Sequence, residues 1–484
     1  MNRKKTKIVA TISDRNCSVE LLKQMRAAGM NVVRLNTAHQ THTDALKVIK
    51  NVREVSPRIA LLLDTKGPEI RTTKAQGSIE VKHGDLLDVK GDPEGITSSE
   101  CIYMTYESFV RDVPLGGKIL IDDGEIELNV IKKEETRLVC KVMNDGVIEG
   151  KKSVNIPSVY LKLPTLSKKD IDFIHFAIDQ DLDFIAHSFV RKKEDVLAVQ
   201  KILDERGSKI KIIAKIENQE GVENIDEILD YAYGIMVARG DLAVEIPQEK
   251  IPMVQKMMVN KAIAKRKPVI IATQMLHTMI NNPRPTRAEV SDVANAVYDG
   301  TDAIMLSGET AYGKHPVASV STMSKIALEV EEIKEPIKQT PYLIINNEIS
   351  AFLAISAVNA SKELGTKAII ADTFNGRTIR ALAAYRGKNM IFAQCYNERV
   401  MRELALSYGV YVNYMEPGKS NEDFISAALN SLINKSKVVE EDLVVVLGGN
   451  FGPNHGPSFI EISSAKSLLK KAEMAIEKEN GQNK

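Results

Sequence analysis

The chain reads as an α/β protein in which a closed (β/α)8 barrel is interrupted by an all-β insertion and followed by a separate open α/β domain. Three observations predict this. Eight apolar, β-branched-rich runs recur between residues 6 and 307, near-continuous in hydrophobicity as parallel strands covered on both faces must be. Helical patterns separate most of them. One interval, about 72–160, breaks that rhythm with alternating segments instead.

The eight runs are 6–12, 31–36, 59–65, 183–189, 210–216, 233–238, 268–273 and 302–307, and their number favours a closed TIM-type barrel over an open sheet. Within 72–160, KILIDDGEIELNVI carries a hairpin signal at Asp123 and Gly124, and RLVCKVM alternates. This reads as an inserted β domain. The helical pattern resumes at Ser167, where Ser167 to Asp170 forms a capping box before IDFIHFAI. EEIKEPIKQTP at 331–341 is charged and proline-bearing, which suits a linker. Beyond it, helices at 348–364, 376–386, 397–408 and 420–434 alternate with strands at 367–372, 390–395, 410–415 and 442–448. The final SSAKSLLKKAEMAIEKENGQNK reads as a solvated terminal helix with a frayed end. The expected boundaries are 1–71 and 161–338 for the barrel, 72–160 for the insertion and 339–484 for the last domain.

Composition narrows the function classes. Lys plus Arg total 65 against 64 for Asp plus Glu, so no net field favours nucleic acid or an anionic membrane. Cys17, Cys101, Cys140 and Cys395 are scattered, without zinc or disulfide spacing. MNRKKTKIVATI is too short in its apolar part for a signal peptide, and no run approaches a membrane span. A soluble cytoplasmic protein is expected.

Barrels place their chemistry at the carboxyl ends of their strands, and AKIEN (214–218), MVARGD (236–241), ATQM (272–275) and MLSGET (305–310) each end an apolar run with polar residues. Strand alternation puts Lys215 and Glu217 on one face. With Asp241 from the next strand end, two hard oxygen ligands and an ammonium converge, equipment for Mg²⁺ and a phosphorylated substrate. Lys215 there can neutralise charge on a transferring phosphoryl group. Gly240 lets backbone amides approach an anion or is a plain loop glycine. Thr273 offers a hydroxyl that could bind a substrate carboxylate or relay a proton. In RLNTAH and DTKGPEIR, Arg34 and Arg71 suit bidentate phosphate recognition, and Asn36, Asp64 and Thr65 suit a hard cation. GETAYGK at 308–314 matches the glycines of a P-loop but continues His315-Pro316, without the metal-binding hydroxyl.

Taken together, MNVVRLNTAH, LLLDTKGPEIRT, KIENQEGV, GIMVARGDL, IATQML and PRPTRAEVSDVANAVYDGTDAIMLSGETAYGKHP resemble the signature blocks of the pyruvate kinase family, in order, over roughly 5–330. The resemblance implies phosphoryl transfer from phosphoenolpyruvate to ADP, giving pyruvate and ATP in the last step of glycolysis, by a homotetramer whose inserted domain closes as a lid. It implies Mg²⁺ (or Mn²⁺) on Glu217 and Asp241, Lys215 as transition-state stabiliser, and Arg34, Gly240, Asp241 and Thr273 on phosphoenolpyruvate. Asn36, His39, Arg71 and Lys152 would meet the nucleotide, and Asn36, Asp64 and Thr65 would bind K⁺. The family's usual NFSH is here Asn36-Thr37-Ala38-His39, so a K⁺-binding hydroxyl is lost, while Glu69 matches the K⁺-dependent subgroup. Ala243 and His277 replace a common glycine and an acid. DTFNGRT at 372–378 is similar to a sugar-phosphate effector loop, with Thr373, Asn375, Gly376, Arg377 and Thr378 as its candidate contacts. Its companion loop, GGNFGPNHGPSF, departs from the family pattern. Two other readings stand beside this one: a lyase of the phosphoenolpyruvate or aldolase barrel type, and a catalytically silent metabolite sensor.

Overall fold

The computed structural model describes residues 4–333, 348–418, 420–449 and 456–482. The expected linker falls mostly outside these residues, as does the centre of the GGNFGPNHGPSF loop. Eight parallel strands close the barrel: β1 (Lys7–Thr11), β2 (Val32–Asn36), β3 (Ala60–Asp64), β4 (Phe184–His187), β5 (Lys211–Ile216), β6 (Gly234–Ala238), β7 (Val269–Ala272) and β8 (Ala303–Leu306). Every residue of six of these strands is buried, and the other two have one half-buried end residue each, Asn36 and Lys211, which is why the sequence shows runs rather than alternation. Inward-facing Val9, Leu62, Phe184, Ile213, Met236 and Ile270 pack into the barrel's centre, while the opposite faces join the helices in a second core.

Between β3 and β4 the chain builds a seven-stranded sheet that begins at Ile70–Arg71 and ends at Ser153–Asn155, beside a small pair, Ile79–Val81 with Gly146–Ile148. Its hairpin joins Lys118–Ile121 to Ile126–Lys133, with Asp123 and Gly124 both at positive φ, as a mirror-image turn demands. The Ser167 capping box forms as expected. Its Asp170 carboxylate also accepts from Lys66 N at 3.0 Å and Gly67 N at 3.2 Å, so one side chain caps a helix and pins the loop leading into the insertion.

The last domain is an open sheet of β9 (Ala368–Thr373), β10 (Met390–Cys395), β11 (Val410–Tyr414), β12 (Leu443–Gly449) and β13 (Pro457–Ser464), in spatial order β11-β10-β9-β12-β13. The antiparallel edge strand β13 was not expected from the sequence. The terminal helix, Ala465–Gln482, departs from the solvated reading: Ala465, Leu468 and Ala472 are buried where it packs on helix Asn421–Asn434. This domain docks on the amino ends of the barrel strands. Asp183 ahead of β4 accepts from Arg402 Nε at 2.6 Å, and Asp302 ahead of β8 from Arg386 Nη2 at 2.6 Å. The barrel's two ends are therefore covered differently, the carboxyl rim by the inserted sheet and the amino rim by the open one.

Candidate active site

The strand register fixes which side chains meet at the carboxyl rim. Asn36 at the end of β2 lies opposite Asp64 at the end of β3, and Thr11 opposite Arg34. Arg34 Nε donates to Asp64 Oδ2 at 2.5 Å and its Nη1 to Thr11 Oγ1 at 2.9 Å. Lys215 Nζ donates to Asp64 Oδ1 at 2.9 Å and to Ser188 Oγ at 2.7 Å, and stands 3.0 Å from Glu217 Oε1. The ammonium thus makes two hydrogen bonds and one further close ion pair. Phe189, at φ +55°, aims its N–H at Glu217 Oε2, 2.6 Å away.

Charge is concentrated here. Burial alone would depress Lys215, but Asp64 and Glu217 outweigh it and hold the ammonium above its ordinary range. Glu217 is raised to about 7, first by burial and then by the nearby Asp241 and Asp64 against the pull of Lys215. Burial likewise raises Asp241. Two desolvated carboxylates resisting ionisation are a donor set short of positive charge, which fits a hard divalent ion. Among the described residues no three His, Cys, Asp or Glu gather as a metal site, so most positions on such an ion would fall to water and substrate oxygens.

Thr273 sits just beyond β7 at φ +69°, an unusual conformation for a β-branched residue. Two donors hold it there: Gly240 N to its Oγ1 at 2.8 Å and Arg239 Nη2 to its carbonyl at 2.9 Å. Arg239 is itself clamped by both oxygens of Asp292, at 2.6 and 2.7 Å. Because its hydroxyl oxygen accepts from Gly240, Thr273 keeps its own proton available to donate.

Arg71 is not at the end of β3 but in the first strand of the inserted sheet, where it pairs with Glu69 at 2.6 Å. Lys152 pairs with Asp122 at 2.7 Å. Arg71, Lys152, Glu69 and Asp241 line a cleft of about 370 Å³ between that sheet and the barrel rim. Asn155 Nδ2 donates across it to Glu245 Oε1 at 2.9 Å. Asp241 belongs to both this cleft and the charged cluster. Asn36 and the exposed His39 do not line the cleft; the Asn36 oxygen accepts from Ala38 N at 3.2 Å. Thr65 is buried beside the cluster, its Oγ1 accepting from Ser188 N at 3.0 Å. The Thr373–Thr378 segment lies far off, on the open sheet, with Thr373 Oγ1 accepting from Gly376 N and Asn375 Oδ1 from Arg377 N. Thr378 lies in the first turn of the helix Arg377–Ala384.

Sequence reasoning missed Ser188 and Arg239. Ser188 Oγ donates to the Thr65 carbonyl at 2.6 Å while accepting from Lys215, so it stitches the end of β3 to β5. Its position directly after β4, at the rim, was the available signal.

A barrel whose rim gathers a buried ammonium, a guanidinium and oxygen donors beneath a lateral cleft is that of a phosphotransferase, built to neutralise a phosphoryl group rather than to attack it. The comparisons with known proteins make this specific. The family model described as "Pyruvate kinase, barrel domain" matches residues 3–320, and "Pyruvate kinase, alpha/beta domain" matches 352–462. Pyruvate kinase of Borreliella burgdorferi is 48% identical over 97% of this chain and 99% of its own length. That of Geobacillus stearothermophilus is 44% identical over 97% and 82%. The crystal structure of a pyruvate kinase from Cryptosporidium parvum superposes with a TM-score of 0.89 at 37% identity, covering 96% of each chain. The chain belongs to the pyruvate kinase family and is a phosphotransferase; these likenesses do not favour the lyase reading. No helix among the described residues is long and apolar enough to cross a membrane.

Proposed function

We propose that this chain moves a phosphoryl group from phosphoenolpyruvate to ADP at the Lys215 cluster, in the cytoplasm and as a homotetramer. The observation that carries the assignment to these residues is the Lys215 ammonium, buried and held between Asp64, Ser188 and Glu217 at the barrel rim. Glu217 and Asp241 would hold Mg²⁺ or Mn²⁺, which when bound supplies Lewis-acid neutralisation of phosphoryl and enolate oxygens. Arg34 and Lys215 grip the phosphoryl group and offset its charge. Gly240 and Asp241 present the short helix Arg239–Glu245 to the substrate carboxylate. Thr273 donates its proton towards the enol carbon, directly or through water, and ketonisation makes the transfer effectively irreversible. Arg71, Lys152, Asn36 and His39 receive the nucleotide as the inserted sheet closes over the cleft and excludes water.

Asn36, Asp64 and Thr65 would bind K⁺, more weakly for want of a hydroxyl at Ala38. Titrating KCl against activity tests this, and full activity without K⁺ refutes it. For Thr373, Asn375, Gly376, Arg377 and Thr378 we propose regulation by a sugar phosphate, checked by direct titration with fructose 1,6-bisphosphate; no change in activity or melting temperature would rule it out. The assignment of the reaction rests on one assay. Pyruvate should form from phosphoenolpyruvate only with ADP present; formation without ADP would point to a lyase or phosphatase, and none at all to a sensor.

A further inference from the structure

Two chain segments join the inserted sheet to the barrel, and each is fastened where it leaves. The outgoing one is held at Lys66 and Gly67, whose N–H groups donate to the Asp170 carboxylate at 3.0 and 3.2 Å. The returning one is held at Leu161 and Leu163, whose carbonyls accept from Arg191 Nη1 and Nη2, each at 3.1 Å, and at Thr165, whose hydroxyl donates to Asp195 Oδ1 at 2.7 Å. Motion of the sheet must pivot about these points. The hydrogen bond from Tyr160 OH to Glu223 Oε2, 2.7 Å long, begins one residue from the fastened Leu161 and so travels little. Among the described residues, a single hydrogen bond runs to the barrel from the sheet itself, Ile70 to Asn155: that from Asn155 Nδ2 to Glu245 Oε1, at 2.9 Å.

Both ends of this bond sit on functional elements. Asn155 closes the strand Ser153–Asn155, which pairs with Ile70–Arg71 on one side and with Lys118–Ile121 on the other. These three strands form one plate, so Asn155 moves with Arg71 and with Lys152, the residue before its own strand. Glu245 closes the helix Arg239–Glu245, whose first turn carries Gly240 and Asp241. A carboxylate there faces the negative end of the helix dipole, so it does nothing for the helix that bears it. Burial raises Glu245, the Asn155 amide lowers it, and Asp241 raises it again. The amide is thus the donor that offsets a carboxylate otherwise unfavourably placed.

We propose that Asn155 is a positioning residue for phosphoryl transfer: through Glu245 it ties the plate bearing Arg71 and Lys152 to the helix presenting Gly240 and Asp241, so that movement of the plate onto nucleotide sets the substrate helix. This rests on the reading above that these four residues meet ADP and phosphoenolpyruvate. The test is hydrogen exchange of the full chain with and without ADP, paired with steady-state kinetics. In the wild type, ADP alone should slow exchange severalfold both around Arg71 and Lys152 and at 239–245. Asn155→Asp sets two carboxylates face to face. It should keep the slowing around Arg71 and Lys152 and lose it at 239–245, while KM for phosphoenolpyruvate rises about tenfold and kcat changes less than about threefold. Asn155→Ala should act in the same direction, and it serves if the facing carboxylates prevent folding. Asn155→Asp combined with Glu245→Gln reverses donor and acceptor, and should bring both readouts back to within about threefold of wild type. Slowing at 239–245 that survives in Asn155→Asp and Asn155→Ala, or a double variant no better than Asn155→Asp, overturns the tie. No slowing around Arg71 and Lys152 in the wild type overturns the nucleotide reading, and the tie with it.

Discussion

Two buried lysines at opposite ends of the same barrel show how differently one fold can treat one side chain. Burial would lower both. At the carboxyl rim, Asp64 and Glu217 reverse that tendency and hold Lys215 above the ordinary lysine range. At the amino rim, Lys4 keeps some exposed surface but its ammonium end is desolvated, Lys7 adds repulsion, and the group falls to about 7. The difference lies in the counterions each site was given. One end has its charges already paired and ready to exchange a carboxylate for a phosphoryl oxygen. At the other, the Lys4 ammonium donates to the Thr6 carbonyl and Asn31 Oδ1, with Lys7 repelling it and Glu331 offsetting only part of the cost.

Breaking the paired end should have the largest effect. Lys215→Met removes one of the two cations, with Arg34, proposed to meet the phosphoryl group in flight, and kcat should fall by at least about 10³-fold. Circular dichroism should show the fold intact, because Asp64 keeps Arg34 at 2.5 Å. Wild-type turnover in this variant would remove Lys215 from the mechanism.

Next comes the geometry that holds Thr273. Arg239→Gln cannot both clamp Asp292 and donate to the Thr273 carbonyl, so a threonine at φ +69° loses one of its two restraints. kcat should drop about 10²-fold with KM for phosphoenolpyruvate changed far less, and Arg239→Lys should recover only part of it, since an ammonium cannot make the fork. Equal losses in both parameters would make Arg239 a binding rather than a positioning residue.

A smaller loss is expected from Ser188→Ala. The ammonium loses its one neutral acceptor and the Thr65 carbonyl its hydroxyl donor, at a cost of about 1–3 kcal/mol for the groups left short. kcat should fall about tenfold and half-saturating K⁺ should rise, because Asp64 and Thr65 lie on the proposed K⁺ site. Steady-state kinetics at varied KCl decides; an unchanged K⁺ response would confine Ser188 to Lys215.

What could be read in advance follows the same division. Lys215, Glu217, Asp241 and Arg34 were legible because barrel topology ties function to strand ends, and near-continuous apolar runs reveal where strands end. Ser188 occupies such an end too, but a lone serine after a strand carries no chemical signature by itself. Arg71 was assigned to the barrel because DTKGPEIR is continuous in the chain, whereas the backbone crosses into the inserted sheet within those residues. β13 was hidden behind a Gly-, Pro- and Asn-rich stretch, and the terminal helix behind its charges. Yet the spacing of Ala465, Leu468 and Ala472 marks the buried stripe.

The smallest effect tests the amino-rim end directly through pH. For Lys4 the folded value, about 7, lies below the ordinary 10.5, so between the two the unfolded chain binds more protons than the folded one. Stability from this group therefore rises with pH through that window, and its penalty is complete below about 7. Lys4→Met should raise the melting temperature at pH 6.5 by a few degrees and lose the advantage as pH approaches 10. Lys7 and Glu331, the other charges facing Lys4, lose with it a repulsion and an attraction respectively, and both are part of the difference. If the gap is flat with pH, Lys4 is solvated, and the contrast between the two ends of the barrel reduces to Lys215 alone.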